Sequence, residues 1–292
     1  GVVLSPENEI RLRKRIPTPR LSNYAENYKS IINAIEDLVC QLEQETGNES
    51  CSIGIGTPGT ISGHTGLMKN SNTVCMNGRP LRTDIENQLG REIRMANDAN
   101  CFALSEARNG AGENYNSVFG IIMGTGVGGG IVIENRIHAG PMGIAGEWGH
   151  NPLVTDGGPP CYCGRNGCVE TLISGPAISL DYQHAGGQPG TDAASIIDLA
   201  AQGDVIASTT IDRFIAHFGR AVATVINILD PHAIVLGGGL SNIEILYTRG
   251  REAIEPHVFS DRFTTPLLKN KHGDSSGVLG AAYLWDDAGP EN

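Results

Sequence analysis

The chain has 292 residues, 40% hydrophobic and 18% charged, with 32 acidic against 21 basic side chains and a formal net charge of −11. That balance argues against nucleic acid as a partner, because gripping its backbone takes Lys and Arg that displace condensed cations, and it disfavours anionic membranes. A phosphate-bearing ligand would have to be met by backbone N–H groups and a metal ion.

No apolar run approaches the ~20 residues needed to cross a bilayer. Residues 1–6 lack the basic flank and apolar stretch of a secretory signal, so the expected compartment is the cytoplasm. In residues 28–42, Ile31, Ile32, Ile35, Leu38, Val39 and Leu42 recur at helical spacing, and Gly47 follows as a stop. Ser52-Ile53-Gly54-Ile55-Gly56 reads as a buried strand running into the Thr57-Pro58-Gly59 turn. A helix over 82–89 ends at Gly90, a strand over 92–96 runs into Asn97-Asp98, and a helix is expected over 99–108.

A second unit begins with a strand over 118–123. Gly124-Thr125-Gly126-Val127-Gly128-Gly129-Gly130 then forms a turn into a strand over 131–133. A long helix over 206–229 leads to a strand over 232–236 and the loop Gly237-Gly238-Gly239, and the short apolar segment 278–285 closes the pattern. Strand and helix alternate, which is the signature of an α/β fold.

The seven cysteines divide unevenly. Cys40, Cys51, Cys75 and Cys101 are scattered, whereas Cys161, Cys163 and Cys168 fall within eight residues among glycines and prolines. An odd, clustered set argues against a disulfide framework and for a zinc knuckle, over the alternatives of free thiols or a redox pair. By sequence distance His138, His150 and His184 are all candidates for a fourth ligand. The glycine run 124–130 could aim N–H groups at a phosphate or could be a flexible hairpin tip. Because a strand rather than a helix follows it, a dinucleotide fingerprint is excluded. Gly237 to Gly239 could admit a flat nucleobase or simply turn the chain. Asn97-Asp98 offers either an N-cap or a carboxylate at a strand end able to accept a hydroxyl proton. Glu147 and Glu170 flank the cysteines.

Gly146-Glu147-Trp148-Gly149-His150, followed by Cys161-Tyr162-Cys163-Gly164-Arg165-Asn166-Gly167-Cys168-Val169-Glu170, resembles the signature of the ROK family of sugar kinases and related repressors. Asn97-Asp98-Ala99-Asn100-Cys101 and the run 124–130 match its other motifs, and His150-Asn151-Pro152-Leu153 is most similar to the family's fructokinase branch. The resemblance implies a two-domain, actin-like ATPase (ribonuclease H-like) α/β fold with a cleft between the domains. The small domain would span 1–112, the larger one 113–277, and a helix over 278–292 would pack back on the first. It implies ATP-dependent phosphorylation of a hexose, fructose in first place and N-acetylglucosamine or glucose as the alternative, with ATP, Mg2+ and a structural Zn2+.

In that reading Asp98 is the general base, while Asn72, Asn97, Glu147, His150 and Glu170 hold sugar hydroxyls. Gly124, Thr125, Gly126, Val127, Gly128 and Gly129 would cradle the phosphates, and Gly237, Gly238 and Gly239 would lie against the adenosine. His150, Cys161, Cys163 and Cys168 would bind zinc, with His150 also turned toward the sugar. A homodimer is the family expectation. Family kinases open on an Asp-x-Gly-Gly-Thr-like turn, and Gly1 stands beyond it, so that turn is expected to precede this sequence. A sugar-responsive repressor of the same family would need a helix-turn-helix segment, and neither the acidity nor any segment ahead of the kinase-like body favours one.

Overall fold

The longest helix of the first third begins where Asn23 accepts hydrogen bonds from the N–H groups of Ala25 and Glu26, and it ends where Gly47 adopts a left-handed φ of 68°. Such a cap satisfies otherwise orphaned amides, and glycine takes the left-handed turn without a Cβ penalty. The computed structural model describes residues 1–47 and 50–286. Residues 287–292 of the expected C-terminal helix lie outside the described residues.

In chain order, β1 (Val2–Leu4) and β2 (Ile10–Arg13) form an antiparallel hairpin, followed by α1 (Tyr24–Thr46), β3 (Gly54–Thr57), β4 (Thr60–Ile61), β5 (Met68–Lys69), α2 (Leu81–Leu89), β6 (Arg94–Asn97) and α3 (Asp98–Asn109). Then come β7 (Ser117–Met123), β8 (Val127–Ile133), β9 (Arg136–Ile137), α4 (Glu170–Ile173), α5 (Gly175–His184), α6 (Ala193–Ala201) and α7 (Val205–Leu229). The chain continues through β10 (Ala233–Gly237), α8 (Arg249–Ile254), β11 (Leu267–Lys269) and α9 (Ser276–Ala282). β3 and β6 pair in parallel, and a five-stranded sheet runs β11-β10-β7-β8-β9, in which β11, β10 and β7 are parallel and β8 and β9 antiparallel.

α7 buries Ile211, Phe214, Ile215, Phe218, Val222 and Ile226 against that sheet. At about 1.5–3 kcal/mol for each large side chain removed from water, this face is the main anchor of the sheet. α3 is gripped on both sides. A Cβ on Gly130 of β8 would meet the Ala99 carbonyl at 2.5 Å, and one on Gly280 of α9 would overlap the Cys101 carbonyl. Those close approaches fix the helix whose first residue is Asp98.

The expected glycine turn is shorter than the sequence suggests. β8 starts at Val127, so Gly128, Gly129 and Gly130 are strand residues and only 124–126 form the tip. Their missing side chains let neighbours press onto the strand, which periodicity alone cannot distinguish from a loop. The strands β1, β2 and β11, of three or four residues each, offer too few alternations to stand out in the sequence.

Candidate active site and metal knuckle

The carboxyl ends of β7 and β10 lie side by side, in register from Ala233 opposite Val118 to Gly237 opposite Ile122. Both strands open there into glycine loops. A Cβ on Gly238 (φ 78°) would overlap the Met123 carbonyl, so the two loops touch. At the tip, the Gly124 N–H donates to the Gly126 carbonyl (2.9 Å) and the Val127 N–H donates to Glu170 Oε2 (2.9 Å). Among the described residues the N–H groups of Thr125 and Gly126 have no acceptor within the chain, and Thr125 is exposed. Ligands of parallel sheets collect at such strand ends. Beside Gly239 opens a cavity of ≈ 530 Å³ walled by Leu240, Ile243, Ile197 and Ile211, which suits a flat apolar group.

This narrows the expected phosphate loop. The Val127 N–H is already committed to Glu170, and the Gly128 carbonyl accepts from the Trp148 indole (3.1 Å). Gly129 is buried, where a Cβ would lie 2.8 Å from both Phe119 and Trp148. Val127, Gly128 and Gly129 thus shape the loop from behind, and Gly124, Thr125 and Gly126 are the part that faces outward.

Asn97 and Asp98 sit where β6 meets α3. Asn97 is the N-cap: its Oδ1 accepts from the Ala99 N–H (2.9 Å) and its Nδ2 donates to the Thr57 carbonyl (3.4 Å). Its side chain is therefore engaged with backbone, as the capping alternative holds. Asp98 Oδ1 also accepts from the Ala99 N–H (2.8 Å). Water still reaches Asp98, yet the surrounding walls desolvate its carboxyl and push its pKa above the ordinary value, while the Ala99 N–H pulls the other way.

Glu147 is raised too, chiefly by burial, with Asp98 and Glu170 adding to the rise and His150 and Lys69 opposing it. The three carboxylates Asp98, Glu147 and Glu170 therefore share one field. Lys69, for which the sequence carries no local signal, donates from Nζ to the Met142 carbonyl (2.8 Å) beside them. Glu147 and His150 line a cavity of ≈ 780 Å³ together with Asn70 and Tyr162. Asn72 does not line it. It is exposed in a separate depression with Tyr24, Asn27 and Thr73, and the residue of that turn that faces the larger cavity is Asn70, held at φ 58°.

His150, Cys161, Cys163 and Cys168 come together, with one donor atom from each lying within 4.8 Å of all the others. His150 Nδ1 is 3.6 Å from Cys161 Sγ, and Cys163 Sγ is 3.7 Å from Cys168 Sγ. Zn–S bonds of ~2.3 Å at tetrahedral angles set ligand–ligand edges of about 3.7 Å, so the donor set and its spacing fit zinc. Burial pushes Cys168 up to about 12 and Cys161 upward as well, so it is as thiolates, not as neutral thiols, that these side chains need a cation beside them. Of the three histidines open at the start, only His150 is in the cluster. Its other nitrogen, Nε2, is 2.9 Å from the Tyr162 hydroxyl, with the rings at right angles. Tyr162 lies between two of the cysteines and is pushed up to about 12 by desolvation and by Glu170, Cys161 and Glu147.

Comparison with protein families matches residues 1–288 to the ROK family. This chain belongs to it. The N-acetyl-D-glucosamine kinase of Haemophilus influenzae is 38% identical over 293 residues, covering 97% of this chain and 94% of that protein. The ROK hexokinase of Thermus thermophilus superposes with a TM-score of 0.80 at 32% identity, covering 94% of this chain and 91% of that one. A ROK family glucokinase from Streptomyces griseus, solved with glucose and AMPPNP, superposes with a TM-score of 0.79 at 28% identity, covering 97% and 94%. The fold is thus the α/β, actin-like ATPase fold of the ROK hexokinases. Among the described residues no helix is long and apolar enough to cross a membrane.

Proposed function

We propose that this ROK protein phosphorylates a hexose with ATP, that N-acetyl-D-glucosamine is its substrate, and that Asp98 is the general base. The observation that carries the reading is the division of the cleft. Two touching glycine loops and an apolar cavity lie at the strand ends, and a cluster of carboxylates headed by Asp98 lies beyond the loop tip. The fructose expectation gives way to its alternative, because the curated relatives at 36–38% identity carry the name N-acetyl-D-glucosamine kinase.

ATP enters as its magnesium complex, with the adenosine toward Gly237 to Gly239 and the phosphates at the N–H groups of Thr125 and Gly126. Asp98 takes the proton of the sugar hydroxyl, that oxygen bonds to the γ-phosphorus, and ADP leaves with the electron pair of the broken P–O bond. The transition state of phosphoryl transfer is loose, so Asp98 acts mostly by holding the hydroxyl in line. Glu147 holds the sugar from the knuckle side, and Glu170 ties that side to the loop tip through the Val127 N–H. Zinc, when bound, holds the knuckle and orients His150.

ADP release measured across a panel of hexoses tests the reading. N-acetyl-D-glucosamine should give the highest kcat/KM, and Asp98→Asn should lower kcat by about 10²–10⁴ without loss of fold. Near-normal turnover in that variant removes Asp98 as the base, and preference for another hexose removes the substrate.

A further inference from the structure

Lys69 ends β5, and its backbone is fixed by the turn that follows β3. A Cβ on Gly59 would lie 2.6 Å from the Lys69 carbonyl oxygen and 2.9 Å from the Ser71 nitrogen, so that turn is wedged against it. Thr57 donates from Oγ1 to the Gly59 carbonyl (3.0 Å) and pairs with Asn97, the cap of α3, whose Nδ2 donates back to the Thr57 carbonyl. Lys69 is therefore a post on the same wall that carries Asp98.

The loop 139–146, which leads into Glu147, is secured differently at its two ends. At its base, Gly146 (φ 93°) comes so close to β8 that a Cβ would overlap the Gly129 carbonyl. At its tip the contacts are with the other wall: a Cβ on Gly143 would lie 3.0 Å from Thr60 Oγ1, and the Met142 carbonyl accepts from Lys69 Nζ (2.8 Å), 73 residues away in sequence. The Met142 side chain is 61% exposed, so its own burial does not hold the tip. The Gly143 N–H donates to the Gly140 carbonyl and the Ala145 N–H to the Ala139 carbonyl (both 3.0 Å), so the loop is bonded to itself and what holds its tip holds the whole of it. Ile144, Gly146 and Glu147 line the ≈ 780 Å³ cavity together with Asn70, the residue after Lys69, while Lys69 is not in the cavity wall.

Resting on the proposed function, we infer that Lys69 is a positioning residue for sugar binding: its ammonium clamps the tip of the 139–146 loop to the wall that carries Asp98, and so sets the span between Asn70 and Glu147. A charged donor on a long stem suits the task, because it reaches across a gap and bonds a lone carbonyl more strongly than a neutral group would. Lys69 acts through the Met142 carbonyl and touches neither substrate.

The test compares Lys69→Met, which keeps most of the stem and deletes the donor, with Lys69→Arg, which keeps a cationic donor. Binding of N-acetyl-D-glucosamine and its monodeoxy analogues is measured by calorimetry without nucleotide, alongside steady-state kinetics and hydrogen exchange in residues 139–146. In Lys69→Met, Kd and KM for the sugar should rise about fivefold, the loss of one exposed hydrogen bond, with kcat and the KM for ATP within about twofold. The loss should be the same for every analogue, since a clamp shapes the site and reads no single hydroxyl. Exchange in the loop should quicken in Lys69→Met, and Lys69→Arg should recover most of both effects. A loss confined to one hydroxyl would make Lys69 a direct sugar contact, and it overturns the assignment. So do unchanged binding, an arginine variant no better than the methionine one, and a KM for ATP that rises as much as that for sugar. If the wild type binds and phosphorylates a different hexose, the proposed substrate falls while the same series on that hexose still decides the role of Lys69. If it binds no hexose, both fall.

Discussion

Glu106 is fully buried in α3, and its carboxylate closes a latch across three segments. Oε2 accepts from the N–H groups of Ala111 and Lys271 (both 3.0 Å), and Oε1 accepts from the His272 N–H (3.3 Å) and the Ser276 hydroxyl (2.8 Å). Glu106→Ala would orphan the three N–H groups and leave the Ser276 hydroxyl the Gly273 carbonyl (3.0 Å) as its acceptor. Exchanging a charged acceptor for a neutral one costs Ser276 about 1 kcal/mol, while water can reach the three partly buried N–H groups, at about 0.5–1.5 kcal/mol each. Against this stands the relief of no longer burying a carboxylate, worth a few kcal/mol. The balance is a destabilisation of about 2 kcal/mol. Glu106→Gln is milder, because an amide N–H₂ turned to Ser276 meets a hydroxyl that can accept while donating to Gly273 and confronts only the His272 N–H, at an expected cost of about 1 kcal/mol.

At this chain length about 2 °C accompanies each kcal/mol, so scanning calorimetry should find Tm lowered by about 4 °C in Glu106→Ala and about 2 °C in Glu106→Gln. Since Ser276 starts α9 and α9 grips the helix that begins at Asp98, kcat should also fall before the protein melts. A Glu106→Ala protein within 0.5 kcal/mol of wild type would refute the latch and the reasoning from donor counts.

Zinc should be separable from folding. Chelation, or Cys161→Ser, should raise the Kd for sugar about tenfold or more while far-ultraviolet circular dichroism is retained, because the knuckle packs on a core already closed by α7 and the sheet. Unchanged sugar affinity in metal-free, folded protein would reduce the cluster to a remote brace. The raised pKa of Asp98 sets two pH dependences. The acid limb of kcat/KM should lie above the ~3.9 of an ordinary aspartate, because the base must be ionised. Folded Asp98 holds its proton more tightly than unfolded, so its contribution to stability declines as pH rises from the ordinary value through the raised one. That decline should be smaller in Asp98→Asn, and urea titrations at a series of pH values check it.

What could be read in the sequence divides along physical lines. α1, α2 and α7 were legible to within a few residues, because apolar periodicity and the glycines at 47 and 90 report local chemistry. The zinc cluster was legible as three close cysteines, and spacing alone left His138, His150 and His184 open; the family motif singled out His150, and the folded chain brings that histidine to the cysteines. The glycine run 124–130 misled about its extent. Glycine that frees a loop and glycine that admits a neighbour look alike, and Gly129 and Gly130 are of the second kind. Asn72 was placed in the sugar site where Asn70 faces the cavity, a matter of which way one turn points. Tyr162 and Lys69 were invisible as site residues because their partners, His150 and the Met142 carbonyl, are remote in sequence or reached only through the fold.

The acidity that first argued against nucleic acid also orients the proposed substrates. The loop tip presents the free N–H groups of Thr125 and Gly126, and the N-terminal end of α5 abuts it through the Gly175 N–H, 2.8 Å from the Gly124 carbonyl. Helix N-termini and unpaired amides favour anions. On the other side, Asp98 and Glu170 lie close enough to Glu147 to raise its proton affinity. A phosphate group placed among them would meet like charges at about 4 kcal/mol per pair at 4 Å for an effective dielectric constant of 20. A neutral sugar meets only hydrogen-bond acceptors. In the proposed reaction the triphosphate therefore enters from the glycine side, and the sugar takes the carboxylate side, with Asp98 at the boundary that the phosphoryl group would cross.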